Sequence, residues 1–188
     1  MQAEITEANN FTVAAQNHFF SLNSNFAYWQ STARKAEIVV DSLPTINWKI
    51  DYKDQKKIGS YTAIKATTKY RGSDLVAYFS PEITHTFGPL KLKGLPGLIL
   101  EVYTVENNPY RWVVKKIEYL KTEDLPNVLQ PNLEGLKKVT MREYRTNENK
   151  EREEKVNLTA LRISERGGKH TFASFRQGLE KVYEWEKN

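Results

Sequence analysis

His18, His85 and His170 are the three side chains in this sequence that titrate near neutral pH in their ordinary state. None stands four residues from another, so no helical pair of metal ligands is written into the chain. Cysteine is absent from the 188 residues. That removes disulfides, thiolate nucleophiles and Cys-based zinc or iron–sulfur sites together, and leaves oxygen and imidazole as ligand types. His85 has the best-placed neighbours. It closes the run Pro81-Glu82-Ile83-Thr84-His85, where Glu82 could orient the ring, and Glu101 could meet it across a sheet as an acid–base partner. The simpler reading is a solvated loop histidine beside surface carboxylates. Ser60 and Ser80 lack the strand–turn–helix setting of a nucleophile elbow, so a serine hydrolase is not expected. These residue types assign no catalytic group, no cofactor and no metal.

Binding chemistry is better represented. Gly94-Leu95-Pro96-Gly97 is a turn with two glycines free to take positive φ, followed by Leu98-Ile99-Leu100, apolar on both faces as a central strand must be. Two readings stand for it: a tight turn feeding a core strand, or a backbone surface that a ligand or partner approaches closely. It is not a phosphate loop, because no Gly-Lys-Ser/Thr ending and no helix follow. Aromatic residues make up 12% of the chain, many of them in strand-like runs. Core packing accounts for most, and the remainder are candidates to line a concave pocket. Trp48, Tyr61, Tyr78, Leu98 and Leu100 are the candidate ligand-binding set.

The elements that must position these residues are mostly strands. Phe19 to Leu22 and Phe26 to Trp29 flank a polar turn at Asn23-Ser24-Asn25, and Glu37 to Val40 is a further short strand. From Ile46 to Tyr52 apolar and polar residues alternate, a strand with one buried face that the charged stretch from Asp51 to Gly59 should break. Tyr61 to Tyr70 and Leu75 to Ser80 form a hairpin about Arg71-Gly72-Ser73-Asp74. Leu98 to Val105 and Tyr110 to Leu120 form another about Glu106-Asn107-Asn108-Pro109. Residues 123–136, with two prolines and a glycine, read as an extended connection. Thr140 and Glu143 make a capping box, with Val139 and Tyr144 as its hydrophobic staple, so a helix starts there. Residues 145–155 contain no apolar side chain, so this helix can pack only through its first turns. Val156 to Ile163 reads as a possible strand, and Phe172, Phe175, Leu179 and Val182 recur at helical spacing within an amphipathic C-terminal helix over residues 171–186.

Taken whole, the chain has the length of one domain, residues 1–188, with a polar, loosely ordered lead-in over residues 1–16. At 39% hydrophobic it can bury a core. Its net charge of +5 arises from 28 basic against 23 acidic residues, interspersed throughout, which does not make a nucleic-acid footprint. No run approaches the roughly 18 apolar residues of a membrane span. The expected fold is mainly β, an antiparallel curved sheet or open half-barrel with one or two helices.

Trp48-Lys49-Ile50, Lys57-Ile58-Gly59-Ser60-Tyr61, Ile64-Lys65-Ala66-Thr67-Thr68, Tyr78-Phe79-Ser80-Pro81-Glu82-Ile83, Gly88-Pro89 and Gly94-Leu95-Pro96-Gly97-Leu98-Ile99 follow one another in an order that resembles the GLPGLI family of Bacteroidetes envelope proteins. Lys138 to Tyr144 fits the same pattern. The resemblance implies a secreted or periplasmic protein whose natural gene begins with a signal peptide; the start of this chain, Gln2 to Ala8, is polar. Members commonly carry a cysteine after the Ile-Gly-Tyr element, where this chain reads Ser60-Tyr61-Thr62-Ala63, and an aromatic where it has Leu90. A thiol-based role therefore does not transfer. The strand order is also similar to half-barrels of the lipoprotein-carrier kind. The expected function is a non-catalytic envelope binding or carrier protein for an apolar ligand, a lipid or lipopeptide. The alternatives are a protein-interaction accessory of an outer-membrane complex using the loop from Pro81 to Pro96 and, after it, a hydrolase using His85.

Overall fold

A computed structural model of the chain describes residues 2–7, 18–20, 25–30, 37–107, 109–118, 135–165 and 178–186. The hairpin predicted from Tyr61 onward forms its centre. Strands β6 (Tyr61–Tyr70) and β7 (Ser73–Ser80) pair with Tyr70 opposite Ser73. Only Arg71 and Gly72 remain in the turn, both at positive φ, 44° and 85°. Two positive values are the mark of the two-residue turn whose twist matches that of the flanking strands. An arginine in this conformation costs on the order of 1 kcal/mol, and its side chain, described below, offsets that cost.

On either side the sheet extends through β5 (Lys49–Ile58), β8 (Leu98–Thr104), β9 (Arg111–Glu118) and β1 (Gln2–Glu7), in the order β1-β9-β8-β7-β6-β5, antiparallel throughout. Gln2–Glu7, inside the stretch expected to be a loose lead-in, thus forms an edge strand. The sheet is open, with β1 and β5 at its edges. A second sheet contains β2 (His18–Phe20), β3 (Phe26–Gln30), β4 (Glu37–Ser42) and β10 (Lys137–Thr140), in the order β10-β4-β3-β2, with β10 parallel to β4. The predicted hairpin about residues 23–25 is its β2–β3 pair. The protein is mainly β, with the helix α1 (Met141–Glu165) following β10 directly.

Among the described residues three apolar clusters hold these elements. One face of the large sheet packs Ile64, Ala66, Leu75, Phe79 and Ile99 against Leu92 and Leu95 from the loop before β8. The opposite face packs Ala63, Val76, Tyr78, Leu98 and Leu100 against Ile83. A third cluster, Trp29, Val39, Val139, Met141, Tyr144 and Tyr183, joins the small sheet to the start of α1. Here the capping box is in place: Thr140 N and Oγ1 both donate to Glu143 Oε2, and Glu143 N donates to Thr140 Oγ1.

The structure corrects the sequence reading in three places. Ile46 to Trp48 are not in a strand, whereas the charged stretch from Asp51 to Ile58 is, as part of β5. An edge strand tolerates this composition because one face stays in water. A bulge between Asp51 and Gln55 switches faces, so Ile50 joins one core cluster and Ile58 the other. Val156 to Ile163 is helical, the continuation of α1, with Leu158 and Leu161 exposed and only Met141 and Tyr144 of the helix buried. At roughly 37 Å for 25 residues, most of α1 lies beyond the core, as its polar stretch foretold. The amphipathic C-terminal helix is absent from residues 178–183, and Glu184–Glu186 is a single 3₁₀ turn. Residues 166–177 lie outside the described residues, as do 119–134 and with them most of the predicted connection. What 178–183 form is a strap. Lys181 N and Val182 N both donate to Arg71 O, at 2.8 and 2.9 Å, and Leu179 and Tyr183 are buried in different clusters. Contacts to the β6–β7 turn override the helical spacing of the apolar residues.

Candidate functional site

Arg71 sits where the two sheets, the loop before β8 and the C-terminal strap meet, and its guanidinium is wholly buried. It donates from Nη1 to Asp41 Oδ2 (2.6 Å) and Glu180 Oε1 (2.6 Å), from Nη2 to Asp41 Oδ1 (2.9 Å), and from Nε to Glu184 Oε1 (3.1 Å). Lys91 Nζ adds bonds to Asp41 Oδ2 at 2.7 Å and Glu180 Oε2 at 2.8 Å. Two carboxylates and two cations thus close a buried square, which the half-exposed Glu184 joins from the rim. Burial alone would raise the Asp41 pKa, but the Arg71 hydrogen bond and the Lys91 charge outweigh it and hold the carboxyl below its usual range. Glu180 goes the same way: burial raises it, and the Lys91 and Arg71 charges win. The phenols of Tyr70 and Tyr183, buried beside Glu180, are pushed upward by desolvation first and by that carboxylate second.

Above this square is a cavity of about 250 Å³. Trp29 from β3, Met141 and Tyr144 from the first turn of α1, Leu90 from the loop and Leu179 from the strap give it an apolar wall; Trp29 and Tyr144 meet edge to face at 4.7 Å. Lys91 and Glu180 form its polar floor, and Arg145 and Glu148 stand at its mouth. Arg145 Nη1 donates to Glu148 Oε2 at 2.6 Å and its Nε to Tyr183 Oη at 2.9 Å. Leu90 is at φ 57° and 37% exposed, a conformation that branched apolar residues avoid.

Four of the five predicted ligand-binding residues, Tyr61, Tyr78, Leu98 and Leu100, meet in one cluster, and Trp48 lies apart from them. Trp48 packs on one face of the large sheet and donates its indole N–H to Lys93 O at 2.9 Å. Tyr61, Tyr78, Leu98 and Leu100 lie on the other face, where Leu98 and Leu100 are each 1% exposed within the core and Tyr61 is half-buried. In the motif loop Leu95 is buried, Gly94 and Pro96 are exposed, and a Cβ on Gly97 would lie 2.1 Å from Ser80 O. Its glycine is there for the passage of β7 past β8, the tight-turn reading of the motif. His85 is exposed beside Phe87 and bonds neither proposed carboxylate. Glu82 instead accepts from Thr62 N, and Glu101 is held by Lys56 at 2.5 Å and Arg111 at 2.8 Å. Among the described residues no group of three or more His, Asp or Glu is placed to hold a metal ion, and no helix is long and apolar enough to cross a membrane.

The residues that do converge, Asp41, Arg71, Lys91, Arg145, Glu148 and Glu180, were missed. For three of them the sequence signal is a charge beside apolar neighbours: Asp41 ends Ile38-Val39-Val40, Lys91 lies between Leu90 and Leu92, and Glu180 follows Leu179. Such residues are rarely buried unless paired, and pairing partners 30 to 109 residues apart are invisible in a local reading.

No family model matches the chain, and no curated protein matches it. Among solved structures it is similar to PNGF-II in the P21 space group, at 20% identity and a TM-score of 0.50, over 65% of this chain and 23% of that one. A PNGF-II structure in the C2 space group aligns over 62% of this chain at 20% identity and a TM-score of 0.42. The chain thus spans less than a quarter of the length of the proteins it matches, and the first likeness is one of fold.

Proposed function

We propose that this is a non-catalytic binding protein of the cell envelope, whose ligand is small, with an apolar body and a polar end. The cavity between β3, the loop before β8, the start of α1 and the strap carries the reading: an aromatic and aliphatic wall beside a floor of fixed charges is the composition of a site that orients an amphipathic molecule. The charges favour binding over acid–base chemistry. The floor's carboxyls are lowered and Arg71 is raised by its carboxylate partners, whereas a general acid or base at neutral pH needs a pKa moved toward 7. At about 250 Å³ the cavity falls just below the roughly 300–1,000 Å³ of drug-sized pockets. A lipid or lipopeptide would be held by a short apolar segment rather than swallowed whole. The envelope assignment rests on the resemblance to the GLPGLI family.

Native mass spectrometry of the protein taken from the periplasm of its natural host is the test. A retained small molecule, lost when Met141→Trp fills the cavity in a variant that still folds, is expected; a bare polypeptide mass in the natural preparation counts against binding. The second reading, a protein-interaction accessory, keeps one observation in its favour: Glu82, Thr84, His85, Thr86 and Pro96 are all exposed on one loop. Pro96→Asp then abolishes recovery of a membrane partner without unfolding the chain, and recovery undiminished by it removes the loop from consideration.

A further inference from the structure

Among the described residues, the charged side chains that line the cavity are two cations, Lys91 and Arg145, and two carboxylates, Glu148 and Glu180. Their sum is zero. A ligand bearing one net charge would bring it into a partly desolvated site with no counter-charge to spare, which is costly. The floor pair is also saturated, since Lys91 is bonded to both Asp41 and Glu180, and Glu180 accepts from Lys91, Arg71, Tyr70 and Tyr183 as well. The pair at the mouth is different. Arg145 spends Nη1 on Glu148 Oε2 and Nε on Tyr183 Oη. Its Nη2 and the second Glu148 oxygen have no partner among the described residues, and the two side chains, both lining the cavity, are 28% and 30% exposed. Unused Arg145 N–H groups and an unused Glu148 oxygen, three residues apart on one helix, stand next to an aromatic wall.

Resting on the binding reading above, we propose that the polar end of the ligand is a zwitterion and that the ligand is a free α-amino acid with an apolar or aromatic side chain. Its carboxylate receives the spare Arg145 N–H, its ammonium donates to the spare Glu148 oxygen, and its side chain lies between Trp29, Tyr144 and Leu179. The ligand adds no net charge to a neutral site, and a single branched or aromatic group suits the volume. Arginine, with a planar fork whose remaining donors keep their direction, is suited to a carboxylate.

Calorimetric titration of the full chain with L-phenylalanine, phenylalanine amide, 3-phenylpropanoate and a neutral octyl glycoside separates the possibilities. L-phenylalanine is expected to bind, with the amide (no carboxylate) and the propanoate (no ammonium) each at least about tenfold weaker, a loss of about 1.4 kcal/mol. Glu148→Gln, a half-exposed position, should weaken L-phenylalanine by a similar factor and leave the propanoate unchanged. Equal affinity for all three phenyl compounds, or no effect of Glu148→Gln, overturns the zwitterion. Octyl glycoside binding in the absence of phenylalanine binding overturns it too while the amphipathic-ligand reading survives; heat from none of the four compounds, together with a bare native mass, removes both.

Discussion

Asp41 is wholly buried at the end of β4 and answers two cations, Arg71 and Lys91. Removing one partner of a buried ion pair leaves the other charge uncompensated, which typically costs about 3–5 kcal/mol. Asp41→Asn should therefore lower the urea midpoint by a large fraction of a domain's stability. Asp54→Asn, at a half-exposed pair with Lys65, should leave the midpoint where it is. The neighbouring leucines provide a second contrast. Leu92 is 1% exposed, so Leu92→Ala should cost about 2–5 kcal/mol. Leu90 is strained at φ 57° and partly exposed, so Leu90→Gly relieves backbone strain as it loses contacts, and denaturant titration should show a change within about 0.5 kcal/mol. At this scale the sequence was least legible. The apolar character of Leu98 and Leu100 announced burial correctly, but burial in a packed core and lining of a pocket require the same residue types. The charged side chains that meet at the cavity come from the loop before β8, α1 and the strap, and nothing in their local context says which of the 51 charged residues are drawn inside.

Elements with a local cause were readable. The hairpins about residues 71–72 and 106–109 follow from strand-forming runs separated by turn residues, and the start of α1 follows from Thr140 and Glu143, whose reciprocal hydrogen bonds are all formed. Those with a tertiary cause were not. The strap at 178–183 has apolar residues at helical spacing, but two backbone N–H groups docked on Arg71 O and the salt bridges of Glu180 fix it in another form. The bulge in β5 likewise comes from two cores competing for Ile50 and Ile58. The Gly-Leu-Pro-Gly turn belongs to this scale as well. A Cβ on Gly97 would lie 2.1 Å from Ser80 O and 2.6 Å from Ser80 C, backbone atoms that move only with β7. Gly97→Ala should displace the β7–β8 junction, read as loss of amide protection in Ser80 and Leu98 and a clear fall in melting temperature; an unshifted melting temperature would deny the turn its structural role.

At the scale of the whole molecule, one buried charge network ties the small sheet to the large one and both to the strap. Its pH dependence follows from the directions of the shifts. Asp41 and Glu180 are lowered in the fold, so their stabilisation is present in full above the ordinary carboxylate range, begins to fade as pH falls below about 4, and is gone only below their folded values. Tyr70 and Tyr183 are raised, so their share is complete below about 10 and declines as pH rises beyond it. Stability should be flat between about pH 5 and 9, and on acidification strap release and loss of the cavity should coincide, measured as a change in Trp emission together with loss of ligand. A strap that stays docked after Asp41 and Glu180 have both taken up protons, followed by their carboxyl signals, would show that the network is not what holds it. The cavity, assembled from β3, the loop before β8, α1 and the strap, is the central claim, and a crystal structure of the protein purified with its natural contents tests it most directly. Density for a small molecule between Trp29, Tyr144 and Leu179, with its polar end toward Arg145 and Glu148, is the expected result; a vacant cavity with a ligand bound instead against Trp48 or Tyr61 would contradict it.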